Sequence, residues 1–492
     1  MVELSKLLRG GRITSTRKDV VKYISSAEND RRLLEHIVKI NQAHVVMLSE
    51  QNIIGKKDAA QILKALSQLE GIELSSSFED AHVIVEEGVI RLAGSDVGGN
   101  LQIGKSRNDQ VAAAIRMELR KEILNIASSL ASLQKALIEL ADKHVTTLVI
   151  GYTHLQPAQP VTFAHQLLSY VDALERDLNR LMDAYDRVNM SPMGAGALAT
   201  TSFPINRERV AELLGFEGIL ENSIDAVNAR DFILEILADL TVMSTNLGRL
   251  VDDLILWGSS DFGIIGVPDS LSSTSSIMPQ KKNPDLLEVI RARTGQTVSD
   301  FLKSVATLKG LPSVYNLDLQ EITPTLWNSM KTMNEALFML SQVVPHLKVK
   351  DVSEKALASF STATELANML VRKHGVPFRI AHKIVGVLTK NLVEGNLTLK
   401  DVTPQLLRDV AKKTAGILLN VSIEDIRDSI DPVKFIEVHK TLGGPSPVEV
   451  KRMLRNRKGR LKNSQSWALK KGSHLRKAEN KLVSIMNTYL SS

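Results

Sequence analysis

Three long proline-free stretches constrain the fold of this chain more than any other feature. They run from about Arg107 to His144, from about Val161 to Val188 and from about Ala226 to Trp257, each with apolar residues at helical spacing. In the second, Leu167, Leu168, Val171, Leu174, Leu178, Leu181, Met182 and Tyr185 recur at three- and four-residue steps. Helices of such length span about 40–55 Å at 1.5 Å per residue, whereas globular helices average only about 11–12 residues. Apolar side chains also wrap well round them, so a bundle, completed in part by other copies of the chain, is needed to bury them. The prediction is an all-α fold built on a central long-helix bundle and assembled into an oligomer.

The flanking sequence divides the 492 residues into three regions. Residues 1–104 read as a charged helical N-terminal domain with breaks at Gly94-Ser95 and Gly98-Gly99. Residues 105–352 carry the long helices, and 353–492 turn to shorter helices divided by Gly375-Val376-Pro377 and Gly443-Gly444-Pro445. With no cysteine, a disulfide framework, a thiol nucleophile and a cysteine-ligated metal are all excluded. No spaced His/Asp cluster points to another metal site. The charged start from Met1 to Arg12 lacks the apolar core of a secretory signal, and no stretch approaches the roughly 20 apolar residues of a membrane span. A cytoplasmic protein without membrane contact is expected.

The net charge of +6 is unevenly placed, because twelve Lys or Arg face a single acid, Glu479, between Lys451 and Lys481. The remainder of the chain is mildly acidic. A solvated helical end explains this basic tail most simply, and a nucleic-acid or acidic-partner contact is the functional alternative.

Gly99 to Ser106 fits the phosphate-loop pattern G-x-x-x-x-G-K-[ST] letter for letter. The preceding Val89-Ile90-Arg91-Leu92-Ala93 is a poor strand, however, and no alternating α/β pattern surrounds it. The plainer reading is that Ser106 caps the long helix, with Asp109 completing an S-x-x-D capping box.

Polar residues crowd at three places where long helices begin or end: Ser106 to Gln110, Gly151 to Pro160, and Ser272 to Asp285. In the third, Asn283 reads as an N-cap, Pro284 as the first helical residue and Asp285 as a first-turn acid. A serine-rich loop ahead of that helix start, beside Lys281 and with Glu288 one turn in, makes a site for a carboxylate-bearing substrate. Taken singly, each segment is also explained by capping or a satisfied core histidine. Together they resemble something more specific.

Ser275-Ser276-Ile277-Met278-Pro279-Gln280-Lys281-Lys282-Asn283 closely resembles the S-S-x-M-P-x-K-x-N signature of the fumarase/aspartase superfamily, whose members release fumarate. The runs at 106–110 and 151–165, and Tyr315, Asn316, Asp318, Gln320 and Glu321, are similar to the argininosuccinate lyase family in particular. The resemblance extends from Gly10-Gly11-Arg12 to about Gly443-Gly444. It implies a three-domain homotetramer with shared active sites, no cofactor and no metal, and β-elimination of argininosuccinate to arginine and fumarate. By the same resemblance Ser275 is the general base, Lys281 and Asn283 bind the substrate carboxylate, and His154 pairs with Glu288 on the acid side. Ser106, Arg107, Asn108, Thr153, Tyr315, Gln320 and Arg230 match substrate-binding positions. The chain departs from the family pattern at Leu101-Gln102-Ile103-Gly104-Lys105, where Leu-His-Thr-Gly-Arg is usual, and at Ile322-Thr323, where Asp-Lys is common. The alternative is another fumarate-releasing lyase acting on a different succinyl–amine adduct; a non-catalytic structural role fits poorly with joint retention of Ser275, His154, Lys281, Asn283 and Glu288.

Overall fold

A computed structural model of the chain describes Arg12 and residues 16–69, 71, 79–350 and 352–491; Gly10 and Gly11 of the resemblance lie outside these. The described residues are overwhelmingly helical, and their strands form four two-stranded ladders. The all-α expectation is therefore met.

The three long stretches fold as helices, with differences at their starts. Arg107–Lys143 is a single helix of 37 residues. From Ala112 to Arg120 every side chain is buried, because neighbouring helices cover this stretch on all sides. The second helix is Phe163–Val188, beginning two residues later than its pattern suggests because Gln156–Thr162 is a strand. Thr162 ends that strand and caps the helix, its side chain accepting from the His165 amide at 3.1 Å. The third stretch is broken. A short helix, Ser223–Asn228, ends where Ala229 turns extended (ψ 119°), and a new helix runs Asp231–Gly258. The Arg230 guanidinium folds back and donates to the carbonyls of Val227 (3.2 Å) and Ala229 (2.9 Å), so the carbonyls at the break are served by a side chain instead of by a continuing helix. Apolar periodicity cannot report such a substitution of hydrogen-bond partners.

One large core joins the bundle helices Arg107–Lys143, Phe163–Val188, Asp231–Gly258 and Thr323–Val343 to the N-terminal helices Leu34–Glu50 and Lys56–Gln68. A separate core, from Leu366 to Ile430, belongs to the short helices after residue 360. The last helix, Pro447–Leu490, returns to the large core and packs Val450, Met453, Leu454, Leu482 and Met486 into it. The basic tail is thus one face of a packed helix; it is not a free end.

Val89 to Ala93, set aside above as a strand, belongs to the helix Ala81–Ala93, and Gly99–Gln102 is a 3-10 turn. Among the described residues no strand precedes the phosphate-loop pattern, and Ser106 caps the long helix through a full capping box with Asp109.

Candidate active site

The first polar segment is held by one buried carboxylate. Asp109 accepts from the amides of Ser106 (3.0 Å), Gly194 (3.1 Å) and Gly196 (2.9 Å). It therefore closes the helix cap and fastens residues 193–197 against it. Asn108 adds a bond from its amide nitrogen to the Ala197 carbonyl at 3.2 Å. Gly196 has a φ of +63°, and a Cβ there would lie 2.7 Å from the Thr200 carbonyl, so this close approach requires glycine. Burial pushes the Asp109 carboxyl up to about 6 despite its three amide donors.

Arg107 extends the cluster by pairing with Asp80 at 2.7 Å. Asp80 also caps the helix Ala81–Ala93 by accepting from the Val83 amide at 2.9 Å. The Tyr315 hydroxyl is raised by burial, a rise opposed by the neighbouring guanidinium groups of Arg230 and Arg107. Arg230 is buried (3 % exposed), and its Nε and Nη2 have no hydrogen-bond partner among the described residues. Burial holds its guanidinium down at about 10. A buried guanidinium with free donors is costly unless an anion completes it. Gln320 donates to the Ile24 carbonyl at 3.0 Å. Arg107, Arg230 and Tyr315 are therefore brought together within one chain.

Beside Ser106 in the chain lies a residue that the motifs flag only as a departure from the family pattern. Lys105 is buried (8 % exposed), and its ammonium donates to the Asn41 side-chain oxygen. Burial brings its pKa down to about 7, against the attraction of Asp109 and Glu86. His44, hydrogen-bonded to the Ile103 carbonyl at 2.7 Å, and His82 are held neutral by burial, at about 3 and about 4. The departures Ile103 and Lys105 thus belong to a buried layer that supports the substrate-binding segment from behind. Thr323, the other departure, is buried in the first turn of the helix Thr323–Val343.

The second segment is a hairpin, which helical reasoning did not anticipate. Leu148–Thr153 pairs antiparallel with Gln156–Thr162, and Thr153 faces Gln156 across the tip. His154 and Leu155 form a two-residue turn with φ of +55° and +58°, the pattern of a tight hairpin loop. Thr153 and His154 are exposed there. The alternating Gln and Pro residues of 156–160 were the available signal, since proline is tolerated in an edge strand but not in a helix interior.

The third segment is a loop closed by a short ladder. Ser273 and Thr274 pair with Asn283 and Lys282, and the Thr274 hydroxyl donates to the Lys281 carbonyl at 2.9 Å. Asn283 is consequently not the N-cap: its backbone belongs to the ladder, Pro284 takes the cap position, and the helix is Asp285–Thr294. Ser273 instead bonds to the Asp285 carboxylate. Inside the loop the Ser275 oxygen accepts from the amides of Ile277 (3.3 Å) and Met278 (3.1 Å). Two N–H dipoles aimed at one hydroxyl oxygen favour negative charge on it. Lys281 and Glu288 are exposed around this loop.

Within one chain these groups are not bonded to one another. Among the described residues no hydrogen bond or ion pair joins His154 to Glu288, or links Ser275 or Lys281 to the Arg107–Arg230–Tyr315 cluster. Each of the three segments is internally ordered by its own hydrogen bonds.

The long-helix bundle, the short-helix domain after it and the serine loop define a lyase of the fumarase/aspartase type, and residues 11–298 match a lyase family model. Residues 360–437 match the argininosuccinate lyase C-terminal family. The argininosuccinate lyase of Methanocaldococcus jannaschii is 43% identical over 486 residues, covering 97% of this chain and 99% of that protein. That of Methanosarcina barkeri is 40% identical over 493 residues, 99% of each. The chain belongs to the argininosuccinate lyase family. Among solved structures, an EDDS lyase in complex with formate superposes with a TM-score of 0.88 at 29% identity, over 94% of this chain and 92% of that one. A class II fumarase from Schistosoma mansoni shares the fold at a TM-score of 0.71 and 16% identity, over 85% and 95%.

Proposed function

We infer that this protein cleaves argininosuccinate to arginine and fumarate by β-elimination. Near-full-length kinship with argininosuccinate lyases carries the reading, and the Ser275 loop supports it chemically. A serine hydroxyl is a weak base, and the amides of Ile277 and Met278 stabilise the alkoxide form it must approach.

In this reading Ser275 takes the proton from the succinyl carbon. The electron pair left behind spreads onto the adjacent carboxylate as an aci-carboxylate, held by Lys281 and Asn283. It then forms the carbon–carbon double bond of fumarate while the carbon–nitrogen bond breaks. His154, oriented by Glu288, gives a proton to the departing guanidino nitrogen, a contribution of roughly 10²–10⁴-fold. Ser106, Arg107, Asn108, Thr153, Tyr315, Gln320 and Arg230 hold the substrate. The free donors of Arg230 suit an anionic group of it.

The reading includes a homotetramer whose sites take Ser106–Asn108, the His154 hairpin and the Ser275 loop from different subunits. Its support is the lack of any hydrogen bond or ion pair between those segments among the described residues and the exposed apolar residues Val242, Val298, Leu302 and Phe338 on the long helices. It keeps the division into residues 1–104, 105–352 and 353–492, and places the enzyme in the cytoplasm. Among the described residues no helix is long and apolar enough to cross a membrane.

The deciding experiment follows fumarate release by ultraviolet absorbance from argininosuccinate and, separately, from adenylosuccinate and aspartate. Turnover of argininosuccinate alone is expected, with Ser275→Ala abolishing it in an intact assembly. The likeness to an EDDS lyase favours one second reading, a fumarate-releasing lyase for another succinyl–amine adduct; silence with argininosuccinate would select it. Mixed assemblies of Ser275→Ala and His154→Asn chains are expected to regain activity, and inactive mixed tetramers would refute shared sites.

A further inference from the structure

The twelve cations between Lys451 and Lys481 all lie on the helix Pro447–Leu490, and they divide into two sets. One set turns toward the acidic body: Arg457 pairs with Asp172, Lys458 with Asp142, Arg460 with Glu175, Lys471 with Asp186 and Glu217, and Lys481 with Glu212. Arg452 pairs with Glu449 on the same helix. The other set, Lys451, Arg455, Lys462, Lys470, Arg476 and Lys477, has no ion pair among the described residues.

Five of these six are in register. Lys451, Arg455, Lys462, Lys470 and Lys477 recur at steps of four, seven, eight and seven residues, and all five are exposed. Such steps stay on one side of a helix with 3.6 residues per turn, making a stripe about 39 Å long at 1.5 Å per residue. Arg476 faces instead a cleft of about 760 Å³ between this helix and Arg107–Lys143. The stripe meets no opposing charge from its own helix, because Glu479 is taken by Lys39 at 2.5 Å. Asn456, Gly459, Asn463, Ser466 and Ser473 fill the positions around it.

We propose that this outward face docks the phosphate backbone of a nucleic acid, independently of the lyase site. Charge complementarity carries the assignment: uncompensated cations in a row release counterions when they meet phosphates. A protein partner would need apolar or aromatic anchors at the centre of its footprint. The exposed large apolar side chains of this helix, Val448, Leu469, Val483 and Leu490, are at least seven residues apart and none is aromatic, so they form no cluster at the centre of the stripe. A membrane surface would need the apolar side of the helix, and Val450, Met453, Leu454, Leu482 and Met486 are already spent on the core. Since the stripe carries no aromatic stacking platform, binding is independent of base sequence.

The test uses the full chain and a variant with Lys451→Gln, Arg455→Gln, Lys462→Gln, Lys470→Gln and Lys477→Gln together. All five positions are exposed and unpaired, so lyase turnover is expected to stay unchanged and serves as the folding control. Deleting the helix would not be equivalent, because it removes core residues. Fluorescence anisotropy with a labelled single-stranded RNA of about 12 nucleotides is read from about 50 to 200 mM KCl. Five phosphate contacts predict a slope of log K on log salt near about −3.5 at about 0.7 per contact. The variant is expected to bind at least about tenfold more weakly at the low-salt end, with a flattened slope. No binding by the unaltered protein at low salt, or equal affinity and slope in the variant, would overturn the proposal. Tighter binding to polyglutamate or to anionic lipid vesicles than to RNA would equally overturn it, reassigning the face to an acidic protein or a membrane.

Discussion

Replacing Lys105 by Met offers a sharp test of the buried layer behind the substrate-binding segment. Methionine keeps an unbranched side chain, one atom shorter, and removes the titrating group, at the fixed cost of the bond to Asn41. Burial lowers Lys105 from its ordinary 10.5 to about 7 in the folded protein. Between those values the unfolded chain holds a proton that the native state has shed, so stability rises with pH across the window. Worked from 7 and 10.5, the contribution of Lys105 becomes about 2 kcal/mol less unfavourable between pH 7 and pH 9. Its neighbours do not cloud the interval: His44 and His82 titrate at about 3 and 4 and Asp109 at about 6. Glu86 is raised from only 4.5, and the remaining charges nearby, Asp80 and Arg107, are held as an ion pair. Urea midpoints of both proteins, at pH 7 and pH 9 and at equal protein concentration, give the difference directly. The wild type is expected to gain about 2 kcal/mol on the variant over that interval. A gap constant to within about 0.5 kcal/mol would show that Lys105 stays charged in the fold, and the argument from burial would be wrong.

Three further outcomes follow from other parts of the structure. Arg230→Lys, which keeps a charge but loses the planar fork, is expected to lower kcat/KM with argininosuccinate by roughly ten- to a hundredfold, as one or two charged hydrogen bonds would predict; steady-state kinetics reads it. The Arg457–Asp172 pair is bidentate (2.8 and 2.6 Å) and mostly buried at the arginine. A double-mutant cycle with Arg457→Ala and Asp172→Ala should give a coupling of about 1–2 kcal/mol, with faster amide exchange along Pro447–Leu490 in each single variant. Gly98→Ala places a Cβ 2.7 Å from the Ile90 Cα. Backbone must move to admit it, so a loss of about 1–3 kcal/mol and a lower thermal midpoint are expected.

The long helices were legible because apolar spacing over two dozen residues or more admits few alternatives. Their limits were not: the break at Ala229 depends on where one guanidinium hydrogen-bonds, and the start at Phe163 depends on a strand whose pairing lies across a turn. The capping box at Ser106 was readable because both partners lie within one helical turn. The Asn283 cap was misread because a competing backbone partner, Ser273, lies ten residues away in sequence. The candidate residues themselves were visible through their motif. Asp80, Asp109 in its role as a staple, and the buried Lys105–Asn41–His44 layer were not, because each matters through contacts that span long sequence separations. The pairing of the basic helix with acids spread from Asp142 to Glu217 was hidden for the same reason.

The return of the final helix to the first core has a consequence for how the chain comes into being. Leu33 and Met486 belong to one apolar cluster, so one of its walls is supplied by a helix made long after the residues it covers. A nascent chain that has not yet folded the helix Pro447–Leu490 therefore displays apolar flanks on the helices of residues 34–68 and 107–143. The short-helix unit around Leu366–Ile430, closed by local pieces, has no such wait. Synthesis thus imposes an order on folding, with the large core closing after the short-helix unit.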